Sequence, residues 1–300
     1  MNADFFKVFR PDVLTEIVDA VCDWDVPDGD VARSFAIKRM PSTSLLLIMP
    51  YRKPCLTHLG FGQKLHGAKC PIAITQIKVG AIHLQPTGPL GVVTVCLKPE
   101  AATRITGIPA SEFYRAQQPP RACIQINLSD VVRVREVALL EEMLAEAQNS
   151  RERIAAVSSF LLGHVNQQQP DLAHRAAHLL RRNPALPVWR VASELDVSRR
   201  HLLRRFQDTF GTTPKQFARI ARVETVMGMR LQGESWATAA FNCGFADQSH
   251  MIKEYNSVLG HTPEDFCKAY GKFHTYHVGL GANYLVSRSK ALNPQETPKQ

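Results

Sequence analysis

Three hundred residues, 45% hydrophobic and 21% charged, suffice for two folded units with substantial cores. With no run of about 18 apolar residues and no secretory pattern after Met1, the chain reads as cytoplasmic and free of membrane spans. The net charge of +9 is uneven: residues 1–150 carry 16 Lys+Arg against 15 Asp+Glu, whereas residues 151–300 carry 20 against 12, placing the basic excess where an acidic polymer would bind.

In chain order, residues 4–21 are expected to begin extended and to turn helical after Pro11, with Val13, Ile17 and Val21 on one face. The acidic VCDWDVPDGD that follows reads as a surface turn. From about Ala32, short β-rich runs (RSFAIKRMP, TSLLLIMPY, ITQIKVGAIHLQPTG, LGVVTVCLKPE) alternate with Pro and Gly, predicting a small barrel or sandwich. His58, His66, Cys70 and His83 are the one cluster there that prompts a metal. Their spacing is not a compact ligand motif, so surface or core histidines are the expected reading, with no metal and no cofactor. HLGFGQKLHG lacks both a Walker ending and a dinucleotide-fold context, and reads as a loop. The seven cysteines form no CxxC; their odd number suits free thiols, with Cys96 and Cys243 as small buried hydrophobes.

Residues 130–149 predict an amphipathic helix whose Val132, Leu139, Leu140, Met143 and Leu144 make an apolar side. A second helix over 150–165 turns Ile154, Val157, Phe160, Leu161 and Val165 inward. Leu139, Leu140, Met143 and Leu144 either pair two subunits or pack on their own β region. Residues 1–165 thus form a β-rich unit with terminal helices, residues 166–172 (around NQQQPD) a linker, and residues 173–271 an all-α unit. Residues 272–300 are an extension; Tyr270, Phe273, Tyr276 and Tyr284 are expected to pack back on the protein, with a polar, unstructured end.

The all-α unit contains one pattern written twice. Phe206, Gly211, Thr213, Pro214 and Phe217 recur 49 residues later as Tyr255, Gly260, Thr262, Pro263 and Phe266, with Leu202 matching Met251 and Arg204 matching Lys253. Each copy has a short helix, a tight break and a second helix, which is helix-turn-helix grammar. Ala192, Leu202 and Phe206 are the core of the first; Ala240, Gly244, Phe245, Met251 and Tyr255 are that of the second. Ser198 and Asp247 stand where the second helices begin. Outward arcs of Arg200, Leu203 and Arg204, then Gln248, Ser249, His250 and Lys253, suit base edges in a major groove. Leu203 meets a thymine methyl or is simply packed. Arg199 and Arg205 contact phosphate or form a solvated basic face; Arg219 and Arg222 contact phosphate or brace the scaffold. The helix between the units, lined by Phe217, Ile220, Val223, Val226 and Met227, should set two reading elements about one B-DNA turn (~34 Å) apart.

On these residues the segment 188–270 resembles the DNA-binding domain of the arabinose-regulator (AraC/XylS) family of bacterial transcription regulators. The signature runs through Ala192, Ser198, Leu202, Phe206, Gly211, Thr213 and Pro214, then Ala240, Gly244, Phe245, Asp247–Met251, Lys253, Tyr255, Gly260, Thr262 and Pro263. Met251, Lys253 and Tyr255 replace the usual phenylalanine, arginine and phenylalanine. More loosely, Arg39–Pro41, LLLIM, and Val92–Leu97 leading through Pro99 to Glu100–Ile105 resemble the family's cupin-like amino-terminal domains. The resemblance implies a two-domain α+β chain, a β-barrel or cupin-like domain that senses an effector or pairs subunits, and a double helix-turn-helix reader. It implies double-stranded DNA as partner, a small-molecule effector, a homodimer, and RNA polymerase if the chain is an activator. No catalysed reaction is expected. The rivals are a metal-dependent cupin enzyme fused to a DNA-binding domain and a non-sensing architectural DNA protein.

Overall fold

The computed structural model describes residues 5–52, 56–59, 71–77, 82–109, 111–112, 123–166, 170–265, 274–278 and 282–288. His66, Cys70, Phe266, Tyr270, Phe273 and the polar end 289–300 lie outside them, as do the side chains of His58, His83, Tyr276 and Tyr284.

Two antiparallel sheets build the amino-terminal unit. The first has the order β1-β2-β8-β4-β6-β9, formed by β1 (Phe6–Phe9), β2 (Val18–Val26), β8 (Leu90–Leu97), β4 (Leu45–Pro50), β6 (Ala73–Ile77) and β9 (Cys123–Asn127). The second has the order β10-β11-β3-β7-β5, from β10 (His274–Val278), β11 (Ala282–Arg288), β3 (Phe35–Arg39), β7 (Ile82–Pro86) and β5 (Leu56–Leu59). Both sheets are open, so neither closes on itself as a barrel.

The first sheet is buried on both faces. Ala20, Cys22, Trp24, Leu46, Val92 and Cys96 face the second sheet, where they meet Phe35, Ile37 and Leu84. Val21, Leu45, Leu47, Val93 and Val95 face the opposite way, against Val137, Leu140, Leu144, Val157 and Leu161. Those residues lie on α3 (Val134–Glu146) and α4 (Ser150–His164), which follow the shorter α1 (Gly29–Arg33) and α2 (Ala101–Thr106). Burial on both sides removes the polar half of a strand's alternation, and every residue of β8 is buried.

For residues 4–30 the expected extended start is β1, and two other expectations fail. After Pro11 there is a 3-10 turn at Asp12–Leu14 and then β2, not the expected longer helix. The first part of the acidic stretch, Val21–Val26, is the second half of that strand, and the surface turn is confined to Pro27–Asp28, whose aspartate caps α1. Asp23 survives burial because Arg153 of α4 donates from Nε to its Oδ2 at 3.0 Å and Tyr51 donates to its Oδ1 at 2.8 Å. Arg153 also reaches Asp25 at 2.9 Å. Two acids that look like solvent markers in sequence are thus neutralised from across the fold.

A second correction concerns pairing of subunits. Leu140 and Leu144 are wholly buried within their own domain, so they are not available to a second chain. Leu139 and Met143, 56% and 41% exposed, remain on the outer face.

Among the described residues the carboxy-terminal unit is built from α5 (Leu172–Arg182), α6 (Val188–Glu194), α7 (Arg199–Phe210), α8 (Pro214–Leu231), α9 (Trp236–Asn242) and α10 (Gln248–Leu259), with a further helix beginning at Pro263. The expected linker ends at Asp171, which caps α5 by accepting from the His174 N–H at 3.0 Å. One apolar cluster joins α5, α6, α7 and the start of α8; another joins the rest of α8 to α9 and α10. The 18-residue α8 belongs to both. The extension then returns to the β unit, where β11 pairs with β3 from Tyr284 opposite Arg39 to Arg288 opposite Phe35.

Candidate nucleic-acid interface

The two helical repeats are near copies in local chemistry. Ser198 caps α7 by accepting from the His201 N–H at 3.2 Å, and Asp247 caps α10 by accepting from the His250 N–H at 2.7 Å. Each cap satisfies one orphan amide and fixes where the second helix starts. Both helices end at a left-handed glycine, Gly211 and Gly260, followed by Thr-Pro. Thr213 caps α8 in turn, with Pro214 in its first turn.

The turns inside the repeats differ. Gly244 has φ +70°, and a Cβ there would lie 2.5 Å from the Cβ of Ala185. The equivalent bend in the first unit uses Asp196 at φ +54°, the lone non-glycine in the left-handed region among the described residues. An aspartate tolerates that region better than most side chains.

An apolar stripe runs along α7 and another along α10. Leu202, Phe206 and Phe210 are buried on α7, and Met251, Tyr255, Val258 and Leu259 on α10. Ala192 and Ala240 are buried against them, and Phe245 packs the second turn. With the stripes committed to the core, the opposite arcs face outward. Arg199, Arg200 and Arg204 are exposed on α7, and so are Gln248, Ser249, His250 and Lys253 on α10. Leu203 is 40% exposed among the arginines. Arg204 is steadied by a 3.3 Å contact to His201 Nδ1, and His250 Nε2 lies 3.7 Å from Glu254.

The other basic candidates are more occupied. Arg205 bridges to Asp171 at 3.2 Å, tying α7 to the α5 cap. Although burial works to raise the Asp171 pKa, its bonds to His174 and the charge of Arg205 outweigh that and bring it down to about 2. Arg219 is bonded to Gln216 at 2.9 Å and to the Ser257 hydroxyl. Arg222 is turned inward, over the Phe245 ring at 5.1 Å, 3.3 Å from the Pro184 carbonyl oxygen and 3.8 Å from Glu254. It braces α8 against α10 and the loop before α6, which is the scaffold alternative of its sequence reading.

Three features escaped sequence reasoning. Trp189 is half exposed with Arg190 against its ring at 5.5 Å, and Phe241 is 82% exposed, so the first helix of each repeat carries an outward aromatic. Glu224 of α8 is fully buried, and its Oε2 accepts from the Thr43 N–H at 3.1 Å and hydroxyl at 2.7 Å. Burial pushes its pKa up to about 7, against the opposing pull of Ser42, Thr43 and Arg181. A glutamate in a helix of mixed charge carries no local sign that a loop 181 positions away covers it. Among the described residues no group of His, Cys, Asp and Glu is placed to hold a metal. Cys22, Cys96 and Cys243 are free and buried, and burial raises the Cys243 thiol to about 11, so it stays protonated.

A family described as a helix-turn-helix domain matches residues 191–269. The bifunctional transcriptional activator and DNA repair enzyme Ada of Escherichia coli K12 is 29% identical over 103 residues, covering 34% of this chain. The match spans only 29% of that relative's length. Among solved structures, an AraC-type DNA-binding domain protein from Chromobacterium violaceum is 26% identical over 31% of this chain and 87% of its own, with a TM-score of 0.30. ToxT from Vibrio cholerae O395 is similar over 88% of this chain and 97% of its own, at 11% identity and a TM-score of 0.44.

Proposed function

We infer the function from one premise: residues 191–269 match a helix-turn-helix domain family, and we take that domain to be of the AraC/XylS type that its sequence resembles. On that premise the chain is a transcription regulator that reads duplex DNA through α7 and α10. The observation that carries this reading is the doubled arrangement itself. Two capped helices present exposed polar rows, each over a buried apolar stripe, and both pack on the one 18-residue helix α8. A spacing near one helical turn of B-DNA lets both enter consecutive major-groove segments on one face.

Roles divide by chemistry and exposure. Arg200 and Arg204 are suited to guanine edges, Gln248 to adenine, and Lys253 to guanine or phosphate. Ser249, His250 and Leu203 complete the reading arcs. Arg199 serves phosphate, whereas Arg205 and Arg219 reach it at the expense of existing partners. The β unit, a cupin-like sandwich in this reading, senses a small effector, and a second copy pairs through the outer face of α3 at Leu139 and Met143. The chain works in the cytoplasm, touches RNA polymerase where it activates, and catalyses no reaction.

Selection of genomic fragments by the purified full-length protein at near-physiological salt tests the reading. Recovery of one motif with two contacted blocks about a turn apart is expected. Unrelated fragments held only by salt-sensitive affinity would replace it with a non-sensing architectural role.

A further inference from the structure

The second sheet is completed by the far end of the chain. Without β10 and β11 it would end at β3, leaving Phe35–Arg39 with an open edge. β11 covers that edge across five register positions, and β10 lies against both α8 and β2. The DNA-binding unit is therefore bracketed in sequence by two parts of one sheet.

What β3 leads into matters as much. It runs directly into Met40–Ser44, the segment of the β unit seated on α8. Met40 is buried with Ile220, Val223 and Met227. Thr43 closes on Glu224 through backbone and hydroxyl, and the Ser44 hydroxyl lies 3.3 Å from Arg181 of α5, which is itself paired with Asp19 at 2.5 Å. Glu224 stands midway along α8, the helix both repeats share. The arginines and polar groups of the reading arcs stay exposed, so nothing in this arrangement covers the DNA face.

We propose that the β10–β11 hairpin is a strap. By pairing with β3 it holds Met40–Ser44 onto Glu224, and so sets the position of α8 and with it the disposition of the two reading helices. Release of the strap, by a ligand or partner that reshapes the second sheet, would then change DNA binding without uncovering or covering any reading residue. The mechanical part stands apart from the proposed function; its effect on DNA rests on that reading.

Hydrogen exchange on the full-length chain tests it. Leu285 lies opposite Lys38 in β11, a strand paired on both sides, so a Leu285→Pro substitution must remove a ladder bond. Exchange should rise at least tenfold in residues 35–39, and also in 40–44 and around 224 of α8, while the buried turns of α7 and α10 keep their protection. Unchanged exchange in 35–39, or a rise that stops before residue 40, overturns the strap. Should Leu285→Pro not fold, Ser287→Pro near the end of the same ladder gives the same readout. Thr43→Val keeps the strap and the backbone bond but removes the hydroxyl bond to Glu224, so α8 should loosen partially around 224 with 35–39 unaffected; an unmoved α8 also overturns the proposal. With a selected duplex, Leu285→Pro should shift affinity more than threefold. Absence of any preferred duplex for the unaltered chain would instead sink the DNA reading, leaving the exchange result to stand or fall by itself.

Discussion

Arg153 and Asp23 meet 3.0 Å apart between α4 and the middle of β2, with the Tyr51 ring 4.4 Å from the guanidinium, and both side chains are almost fully shielded from water. Removing one member of such a pair leaves an uncompensated charge, at a cost of about 3–5 kcal/mol. Arg153→Ala should therefore lower the unfolding free energy by that order, read as a shift in denaturant midpoint with unchanged slope. Arg52, which pairs with Asp25 nearer the surface, should matter much less: about 1 kcal/mol or below when changed to alanine.

Glu224 predicts how the contact between the two units depends on pH. Its pKa is raised from 4.5 to about 7 by burial. The folded form thus holds a proton that the unfolded form has already lost between those values, and stability falls as pH rises across the window. The contribution is fully present below about 4.5 and is lost through about 7, with an upper size of ~3 kcal/mol. Thermal unfolding from pH 5 to 8 should show this decline in the parent chain and a flatter profile in Glu224→Gln. Equal slopes in both would assign the pH response elsewhere.

Gly244→Ala should destabilise by about 1–3 kcal/mol, from the left-handed backbone and the Ala185 methyl in its path. Asp196→Gly at the matching bend should instead be neutral or stabilising by up to ~1 kcal/mol. Differential scanning calorimetry of the two variants checks both signs.

On a selected operator, Arg200→Ala or Arg204→Ala should each cost about 1–3 kcal/mol and relax preference at one base position. Arg199→Ala should weaken all sequences alike and shallow the salt dependence by about one phosphate. Arg222→Ala should lower stability first, because its guanidinium is spent on Pro184, Phe245 and Glu254.

On α3, Leu144→Ala should cost about 2–5 kcal/mol as a core truncation. Leu139→Ser with Met143→Ser should leave stability within about 0.5 kcal/mol but abolish self-association in sedimentation. Unaltered association would remove this face from subunit pairing.

The helical half was legible because its information is local: Ser198 and Asp247 announce helix starts, Gly211 and Gly260 announce ends, and buried residues recur at helical spacing. The β half was legible only in part: the runs from Ala32 are β3, β4, β6, β7 and β8, whereas the strand before them was missed. β2 is covered on both faces, so the acids that alternate with Cys22, Trp24 and Val26 report partners at Arg153 and Tyr51 rather than exposure to water. The outward rows on α7 and α10 could be read from periodicity alone, whereas the inward turn of Arg222 depends on Pro184 and Glu254, which sequence spacing does not bring together. β11 finds its neighbour in β3, and nothing within Ala282–Arg288 names that partner.

That last pairing has a consequence for how the chain is made. At a synthesis rate of ~5–20 residues per second, the stretch from Arg39 to Tyr284 takes on the order of ten seconds or more to emerge. During that interval β3 has a bare edge, while the intervening helices, rich in short-range contacts, are free to fold first. A nascent chain stalled in this window would offer its unpaired strand to a neighbour on the same messenger, and exchange of β11 between two such chains would yield an intertwined pair rather than two closed monomers.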